Sequence, residues 1–347
     1  MNKYLRLLFD REFRFSVLTA RGFYKSMSDE ELCRRKYRFS YGEDLDLAHP
    51  KGFSEKLMWL KLHDRRPLYT TLVDKYAVRQ YISEKVGEKY LIPLLGGPWE
   101  SFGDIDFDSL PRQFVLKCTH DSGSVIVCRD KSNFDIDDAR RRISRRLKRN
   151  YYCGNREWPY KDVPPRIIAE EYLCQPEFSS CSSQEENTVT PAQLQRKFGL
   201  LDYRFMCFNG RVRALFLNIG VIDGEGHSTE NCYSNIYDRN FRLLPVRETD
   251  PNYPVPIQKP ENFETMVSLA EELSQGFPFL RVDLYNISGK IKFGELTFYH
   301  NSALANIFDP PEWDEIFGSW IELPGSADTD ADAPEDKAGE IEKAPAL

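Results

Sequence analysis

No two cysteines in this chain stand at CxxC spacing, and none of the five histidines lies at metal-ligand spacing from a cysteine. A zinc site is therefore not expected. The eight cysteines (33, 118, 128, 153, 174, 181, 207 and 232) follow no regular pattern. They read as reduced thiols of a cytoplasmic protein, several of them buried as small apolar residues. No apolar run reaches the roughly 18 residues that a membrane helix needs. The opening MNKYLRLLFDREFRF is charged throughout and lacks a small-residue cleavage site, so no signal peptide is expected. An excess of positive charge is also missing. The net charge is −7, and the stretch from Gly325 onward holds seven acidic and two basic residues. The body is thus close to neutral, which argues against nucleic acid as a partner. There is no internal repeat.

What is present is enough for a folded protein. Of 347 residues, 41% are hydrophobic and 13% aromatic, which suits two or three packed lobes. Residues 1–50 are charged and aromatic with helical spacing in places. GFSEKLMWLKLHDRRPLYTTLVDKYAVRQYISEKVGEKYLIP predicts a helix, a break at Pro67, and a second helix with Leu72, Tyr76, Val78 or Arg79, and Ile82 on its apolar face. Pro93, Gly96, Gly97 and Pro98 mark a loop. FVLKC and VIVCR predict two strands around a tight turn. DIDDARRRISRRLKRN predicts an arginine-rich helix with its aspartates at the N-terminal end, where they suit the helix dipole. RIIAEEYL predicts a short buried strand. Residues 174–198 are polar and suggest a flexible insertion. DYRFMCFNGRVRALFLNIG predicts a hairpin turning at Asn209-Gly210. Residues 222–262 read as loops and turns. PENFETMVSLAEELSQGF predicts an amphipathic helix, and FLRVDLYNISGKIKFGELTFYHNSA a hairpin turning at Ser288-Gly289. Helices first, then strand pairs alternating with helices, imply an α+β protein with antiparallel sheets. The Ala-, Asp-, Glu- and Pro-rich tail 325–347 is expected to be disordered.

Several side chains interrupt apolar strands. Lys117 ends FVLKC before a loop holding Ser122, Gly123 and Ser124. A lysine there can reach a phosphate, and Gly123 lets the backbone fold closely over it. The competing reading is an exposed lysine in an ordinary hairpin. The lysine precedes the glycine, so this is not a Walker A loop. Asp283 and Glu295 lie on two strands joined by a tight turn, and antiparallel pairing would bring both carboxylates to one site. Oxygen ligands of this kind suit Mg²⁺; the alternative is that both face solvent. Arg281 shares the face of Asp283 and can contact phosphate. Glu170 and Glu171 end an apolar strand, and a strand-end acid can accept from an adenine amino group with Leu173 packed on the ring. The basic helix 140–149 is a solvated face or a site for a polyanion or anionic membrane.

Taken in order, DKYAVRQYI, FVLKCTHDSGSV, IIAEEYL, DYRFMCFNG and RVDLY…FGELTFY resemble the ATP-grasp ligases. GFSEKLMWLKLHDRRPLY, REWPYKDVPPRIIAEEYL and GELTFY are similar in wording to the TupA-like branch, named for teichuronopeptide biosynthesis. The resemblance covers residues 40–324. It implies the ATP-grasp fold, two α+β lobes sandwiching ATP. The expected division is an N-terminal helical region 1–70, a small lobe 71–173, a large lobe 174–324 containing the insertion 174–198, and the tail 325–347. It also implies roles. Lys75 and Lys117 contact phosphates, and the loop His120, Asp121, Ser122, Gly123 and Ser124 closes over them. Glu170 takes the adenine amino group, with Glu171 and Leu173 beside it. Asp202 lies near the ribose, and Arg204 near the phosphates. Asp283 and Glu295 hold Mg²⁺, with Arg281 at the transferred phosphoryl group. Most ATP-grasp ligases place an asparagine two residues after the last acid. Here that position is Thr297, with Asn301 nearby, so the third metal ligand is left open between them.

The implied activity is ATP- and Mg²⁺-dependent carboxylate–amine ligation through an acyl phosphate. The resemblance points to a uronic-acid carboxylate in cell-surface polysaccharide biosynthesis and to an amino acid or peptide as the amine. It implies a cytoplasmic protein, with contact to a membrane-linked glycan at the inner face left open. The oligomeric state is not legible. A glycosyltransferase is the alternative, because Asp104-Ile-Asp106 and Asp106-Phe-Asp108 fit the Asp-x-Asp spelling of a nucleotide-sugar metal site. A non-catalytic carbohydrate-binding protein is a third reading.

Overall fold

The computed structural model describes residues 9–173, 188–220 and 232–325. Helices Arg11–Ala20, Asp29–Tyr41 and Phe53–His63 come first. The side chains of Asp10 and Ser28 accept from the backbone N–H groups of Phe13 and Glu31, which satisfies donors that a helix start leaves open. Two antiparallel sheets follow. The smaller contains β1 (Leu94–Trp99), β2 (Phe114–Cys118), β3 (Val125–Cys128) and β4 (Ile167–Glu171), in the order β1-β4-β2-β3. The larger contains β5 (Asp202–Phe208), β6 (Arg211–Ile219), β7 (Tyr233–Asp238), β8 (Phe279–Ile287) and β9 (Lys290–Thr297), in the order β7-β6-β5-β8-β9. The hairpins turn where the sequence predicts. Asn209 and Gly210 have φ of 48° and 76°, and Ser288 and Gly289 have 49° and 81°. Two left-handed residues in succession match the twist of a two-residue hairpin.

Each sheet has its own apolar core. Alternate residues of β2, β3 and β4 pack with Ala139 and Ile143 of the helix Ile136–Leu147 under the small sheet. The larger core runs from Cys33 and Leu57 of the N-terminal helices, through the five-stranded sheet and the helix Phe263–Leu273, to Phe317 and Ile321. The N-terminal helices are therefore built on the large sheet.

Four stretches differ from expectation. The second helix is split into Leu68–Val73 and Val78–Lys85. Asp74 Oδ1 accepts from the N–H groups of Tyr76 and Ala77 at 2.9 and 3.3 Å, so it starts a new helix where periodicity implied a continuous one. The Pro/Gly stretch read as a loop forms β1, an edge strand, where a missing N–H breaks no ladder. Strand β7 lies within the stretch read as loops. Part of the expected insertion is ordered: Val189 bridges to Ile257, and Pro191–Phe198 is a helix whose Thr190 cap accepts from Gln193 N–H at 3.2 Å. Residues 174–187 and the tail from 326 lie outside the described residues. Among the described residues no helix is long and apolar enough to cross a membrane.

Candidate active site

The two sheets present their polar faces to one cleft. Lys117 on β2 sits opposite Ile168 on β4, so Glu170, two residues on, shares its face. Lys117 Nζ donates to Glu170 Oε2 at 2.6 Å. Arg79 on the helix Val78–Lys85 donates to Glu170 Oε1 at 3.0 Å and to the Ile92 carbonyl at 2.8 Å. Glu170 is buried, and a buried carboxylate needs such partners. Glu171 points to the exposed side, and Leu173 is half-buried.

Lys75 occupies the break between the two short helices. Its N–H donates to Thr119 O at 3.1 Å, and its Nζ donates to the Asp121 carbonyl, which places it against the loop after β2. That loop is pinned from within. Ser124 Oγ donates to the Asp121 carboxylate and accepts from the Cys118 N–H at 3.2 Å. Gly123 has φ of +81° and is exposed with open space around it, and Ser122 is half-buried. Arg146 of the basic helix lies 3.7 Å from Asp121, and its carbonyl is 3.3 Å from His120 Nε2. The other ring nitrogen of His120 is buried with no partner among the described residues. The cleft is lined by Lys75, Arg79, Ile92, Lys117, Glu170 and Phe293, and continues past Val78, Tyr160 and Gly294 to Glu295.

On the large sheet, Asp283 pairs directly with Arg204 on β5 and with Glu295 on β9, while Arg281 pairs with Thr297. Gly294 is the extra residue of a bulge between these pairs, since Asp283 faces Glu295 but Leu284 faces Phe293. Arg281 is buried among acids. It donates to Asp283 at 2.8 and 2.6 Å and to Glu295 at 2.8 Å. Arg204 donates to Asp202 Oδ2 at 2.8 Å. Burial pushes the Asp283 carboxyl up to about 7, against the opposing charge of Arg281. Burial also acts on Glu295, but the charges of Arg281, Lys75 and Arg204 outweigh it and hold this carboxyl below its usual value. Burial disfavours the charge on Arg281, yet Asp283 and Glu295 keep it well above the usual guanidinium range.

The donor set fits Mg²⁺, which takes oxygen ligands. Asp283 and Glu295 face each other, and the Thr297 hydroxyl lies 3.4 Å from Glu295. Asp202 Oδ1 is buried with no partner among the described residues. Asn301 is turned elsewhere, towards Glu248 at 3.2 Å and the Ala305 carbonyl at 3.5 Å. Three further residues join the site. Arg79 is the residue that periodicity left as an alternative to Val78 on the apolar helix face; its place four residues after Lys75 is the available signal. His300 is fully buried, with Nδ1 3.2 Å from Arg281 and Nε2 3.2 Å from Glu248. Nothing in the sequence near Glu248 marks it. The Asp-x-Asp spellings have another use: Asp104 accepts from the Ser101 N–H and Asp106 from the Asp108 N–H, so both close exposed turns.

A family model described as TupA-like ATPgrasp matches residues 55–180 and 185–322. No curated protein matches the chain. Among solved structures, the chain is similar to D-alanine–D-alanine ligase from Helicobacter pylori, at 10% identity, TM-score 0.40, covering 78% of this chain and 69% of that one. It is similar to L-amino acid ligase from Bacillus licheniformis, at 12% identity, TM-score 0.41, covering 81% and 57%. It is also similar to D-alanine–D-alanine ligase from Bacillus anthracis complexed with ATP, at 13% identity, TM-score 0.34, covering 66% and 54%. The chain thus spans between about half and about two thirds of the length of these structures. With about three quarters of its residues inside one family model, the chain belongs to the TupA-like ATP-grasp family and has the ATP-grasp fold of ATP-dependent ligases.

Proposed function

We propose that this protein is an ATP- and Mg²⁺-dependent carboxylate–amine ligase that acts on a uronic-acid carboxylate of a cell-surface glycan or its precursor, with an amino acid or peptide as the amine. The observation that carries the reading is a cleft lined by Lys75 and Lys117 that runs to Glu295, around which Asp283, Arg204 and Arg281 are gathered on β5 and β8. A site with four cations and two facing acids suits a polyphosphate held with a divalent metal.

In this reading Lys75 and Lys117 bind the phosphates, and the loop His120 to Ser124 covers them. Glu170 receives the adenine amino group, with Glu171 and Leu173 flanking the ring and Asp202 towards the ribose. Asp283 and Glu295 would hold Mg²⁺, with Thr297 as the adjacent oxygen donor. The metal would supply charge neutralisation at the transferred phosphoryl group. Arg204 and Arg281 stabilise the charge that develops as the substrate carboxylate attacks the γ-phosphorus and ADP leaves. The closed loop keeps water from the acyl phosphate until the amine displaces phosphate from its carbonyl carbon. The arginine-rich helix beside the loop supports an acidic glycan as substrate. Arg140, Arg141 and Arg145 are exposed along it and Arg149 just past its end, a basic face that suits a polyanion. A cytoplasmic location next to a membrane-linked glycan follows from that substrate. The glycosyltransferase alternative has less support, because its aspartates cap turns away from the cleft.

Calorimetry of Mg²⁺·ATP binding to the wild type and to Lys117→Ala tests the reading. Micromolar-range binding that weakens by about a hundredfold in the variant, roughly 2.7 kcal/mol, is the expected result. Binding of a nucleotide sugar with no binding of ATP would remove it.

A further inference from the structure

Among the described residues, Asp202, Asp283, Glu295, Glu170, Glu157 and Glu248 approach the reaction centre, and the first five are engaged. Asp202 is bonded to Arg204, while Asp283 and Glu295 are bonded to Arg281. Glu170 is held by Lys117 and Arg79. Glu157 is buried behind the site, where it accepts from the Ser302 hydroxyl at 2.6 Å. Glu248, unlike the buried Glu157, is partly exposed, and its two partners are neutral: His300 Nε2 and the Asn301 amide, both 3.2 Å from Oε1. Arg281 always donates, so His300 Nδ1 must accept from it, and the ring proton then sits on Nε2 and points at Glu248. Burial lowers the pKa of His300, in keeping with that neutral form. Glu248 Oε2 has no partner among the described residues, and the side chain is 13% exposed, so one edge of the carboxylate stays accessible.

The position is built, not incidental. The bridge between Arg247 and Asp309, bonded at 3.0 and 2.9 Å in both directions, anchors the backbone next to Glu248. Asn301, Ser302 and Ala303 have φ of 48°, 57° and 56°, a left-handed run that costs on the order of 1 kcal/mol per residue. It is held by Lys61, whose fully buried Nζ donates to the Ser302 carbonyl at 2.6 Å, and by Asn155, which donates to Ser302 Oγ at 3.0 Å. That turn is what directs Asn301 at Glu248. A centre whose other carboxylates are already engaged thus keeps one carboxylate without a cationic partner a single imidazole ring away from Arg281.

We propose that Glu248 is the recognition site for the amine substrate, receiving its ammonium group on Oε2 while His300 and Asn301 fix the carboxylate. This rests on the ligase reading above. The carboxylates bonded to Lys117, Arg79, Arg204 and Arg281 have no charge to spare for an ammonium, so the second substrate needs one further negative charge to enter in register with the acyl group. The inference gives Glu248 a part in choosing the amine and makes His300 the residue that positions both Glu248 and Arg281.

The test uses the full chain saturated with Mg²⁺ and a non-hydrolysable ATP analogue. The twenty proteinogenic amino acids and their N-acetyl forms are titrated by calorimetry into wild type, Glu248→Gln and Glu248→Asp. The expected result is binding of at least one amino acid that weakens tenfold or more on acetylation, weakens tenfold or more in Glu248→Gln, and is partly kept in Glu248→Asp. Analogue binding in each variant shows that the site is folded. Binding of an amino acid that is unchanged by Glu248→Gln, or equal binding of its acetylated form, overturns the proposal. So does the absence of any amino-acid binding while the nucleotide analogue binds. Failure of the nucleotide analogue itself to bind would instead remove the ligase reading, and this inference with it.

Discussion

A Cβ at Gly294 would lie 3.0 Å from the Asp283 carbonyl oxygen and 3.2 Å from the Tyr285 ring. The obstacle is mostly backbone, which cannot swing away, so even alanine must push β8 and β9 apart where Asp283 and Glu295 face each other. Gly294→Ala is expected to destabilise the protein by about 1–3 kcal/mol, the usual range for overpacking. It is also expected to reduce the Mg²⁺ dependence of nucleotide binding by disturbing the carboxylate pair. Calorimetric melting, together with ADP titrations with and without Mg²⁺, measures both, and an unaltered Mg²⁺ dependence would count against the pair as the metal site. The two acids were legible in the sequence because each interrupts an apolar strand beside a hairpin turn. The bulge that aligns them was not, since a lone glycine in a strand does not reveal its partner. Glu248 was illegible for a related reason: it lies 53 positions before Asn301, and only the left-handed turn brings them together.

At the scale of elements, the basic helix Ile136–Leu147 does more than cover the small sheet. Ala139 and Ile143 face the core, while Arg146 reaches Asp121 and its carbonyl meets His120. The helix therefore holds the near end of the loop expected to close over phosphate. The Arg146–Asp121 pair is partly solvated, so its loss should cost less than about 1 kcal/mol of stability. Arg146→Ala is thus expected to leave the melting temperature nearly unchanged, to weaken ATP binding several-fold and to speed amide exchange in residues 120–124. Arg145→Ala, on the solvent side, is the control and should change none of these. If both variants behave alike, the helix does not act on the loop. Elements were legible where period and turn chemistry agreed, as in the two Gly-turned hairpins. They were missed where composition masked a stronger local signal. Thr190-Pro191-Ala192-Gln193 spells a helix start inside a polar stretch, and Leu94–Trp99 pairs as an edge strand despite its glycines and proline.

Across the whole molecule, buried lysines join the N-terminal helices to the segment at Gly154 and Asn155 and to the turn at Ser302 that follows the large sheet. Lys36 donates to the Gly154 carbonyl at 2.7 Å and to Asn155 Oδ1 at 2.6 Å, and Lys61 donates to Ser302 and Asn155 carbonyls at 2.6 and 3.3 Å. Neither was visible as special in the sequence, because a lysine on a helix is normally solvated and only the fold shows these two buried side by side. Burial, then the neighbouring charge of Lys61, lowers Lys36 from the usual 10.5 to about 8. The unfolded chain consequently binds more protons than the folded one between about pH 8 and 10.5, so this lysine destabilises the fold at neutral pH and the penalty is relieved as pH rises through that window. At 1.36 kcal/mol per unit, the relief between pH 7.5 and 9.5 amounts to about 2 kcal/mol. Urea unfolding of the wild type and of Lys36→Met at those two pH values isolates it, because other titrating groups are common to both chains. The stability of wild type relative to Lys36→Met should rise by about 2 kcal/mol on going to pH 9.5. A constant difference would mean that Lys36 stays solvated, and that the junction between the N-terminal helices and the turn at Ser302 is looser than the hydrogen bonds imply. The turn that directs Asn301 at Glu248 would then have to be held by Lys61, Asn155 and Glu157 alone.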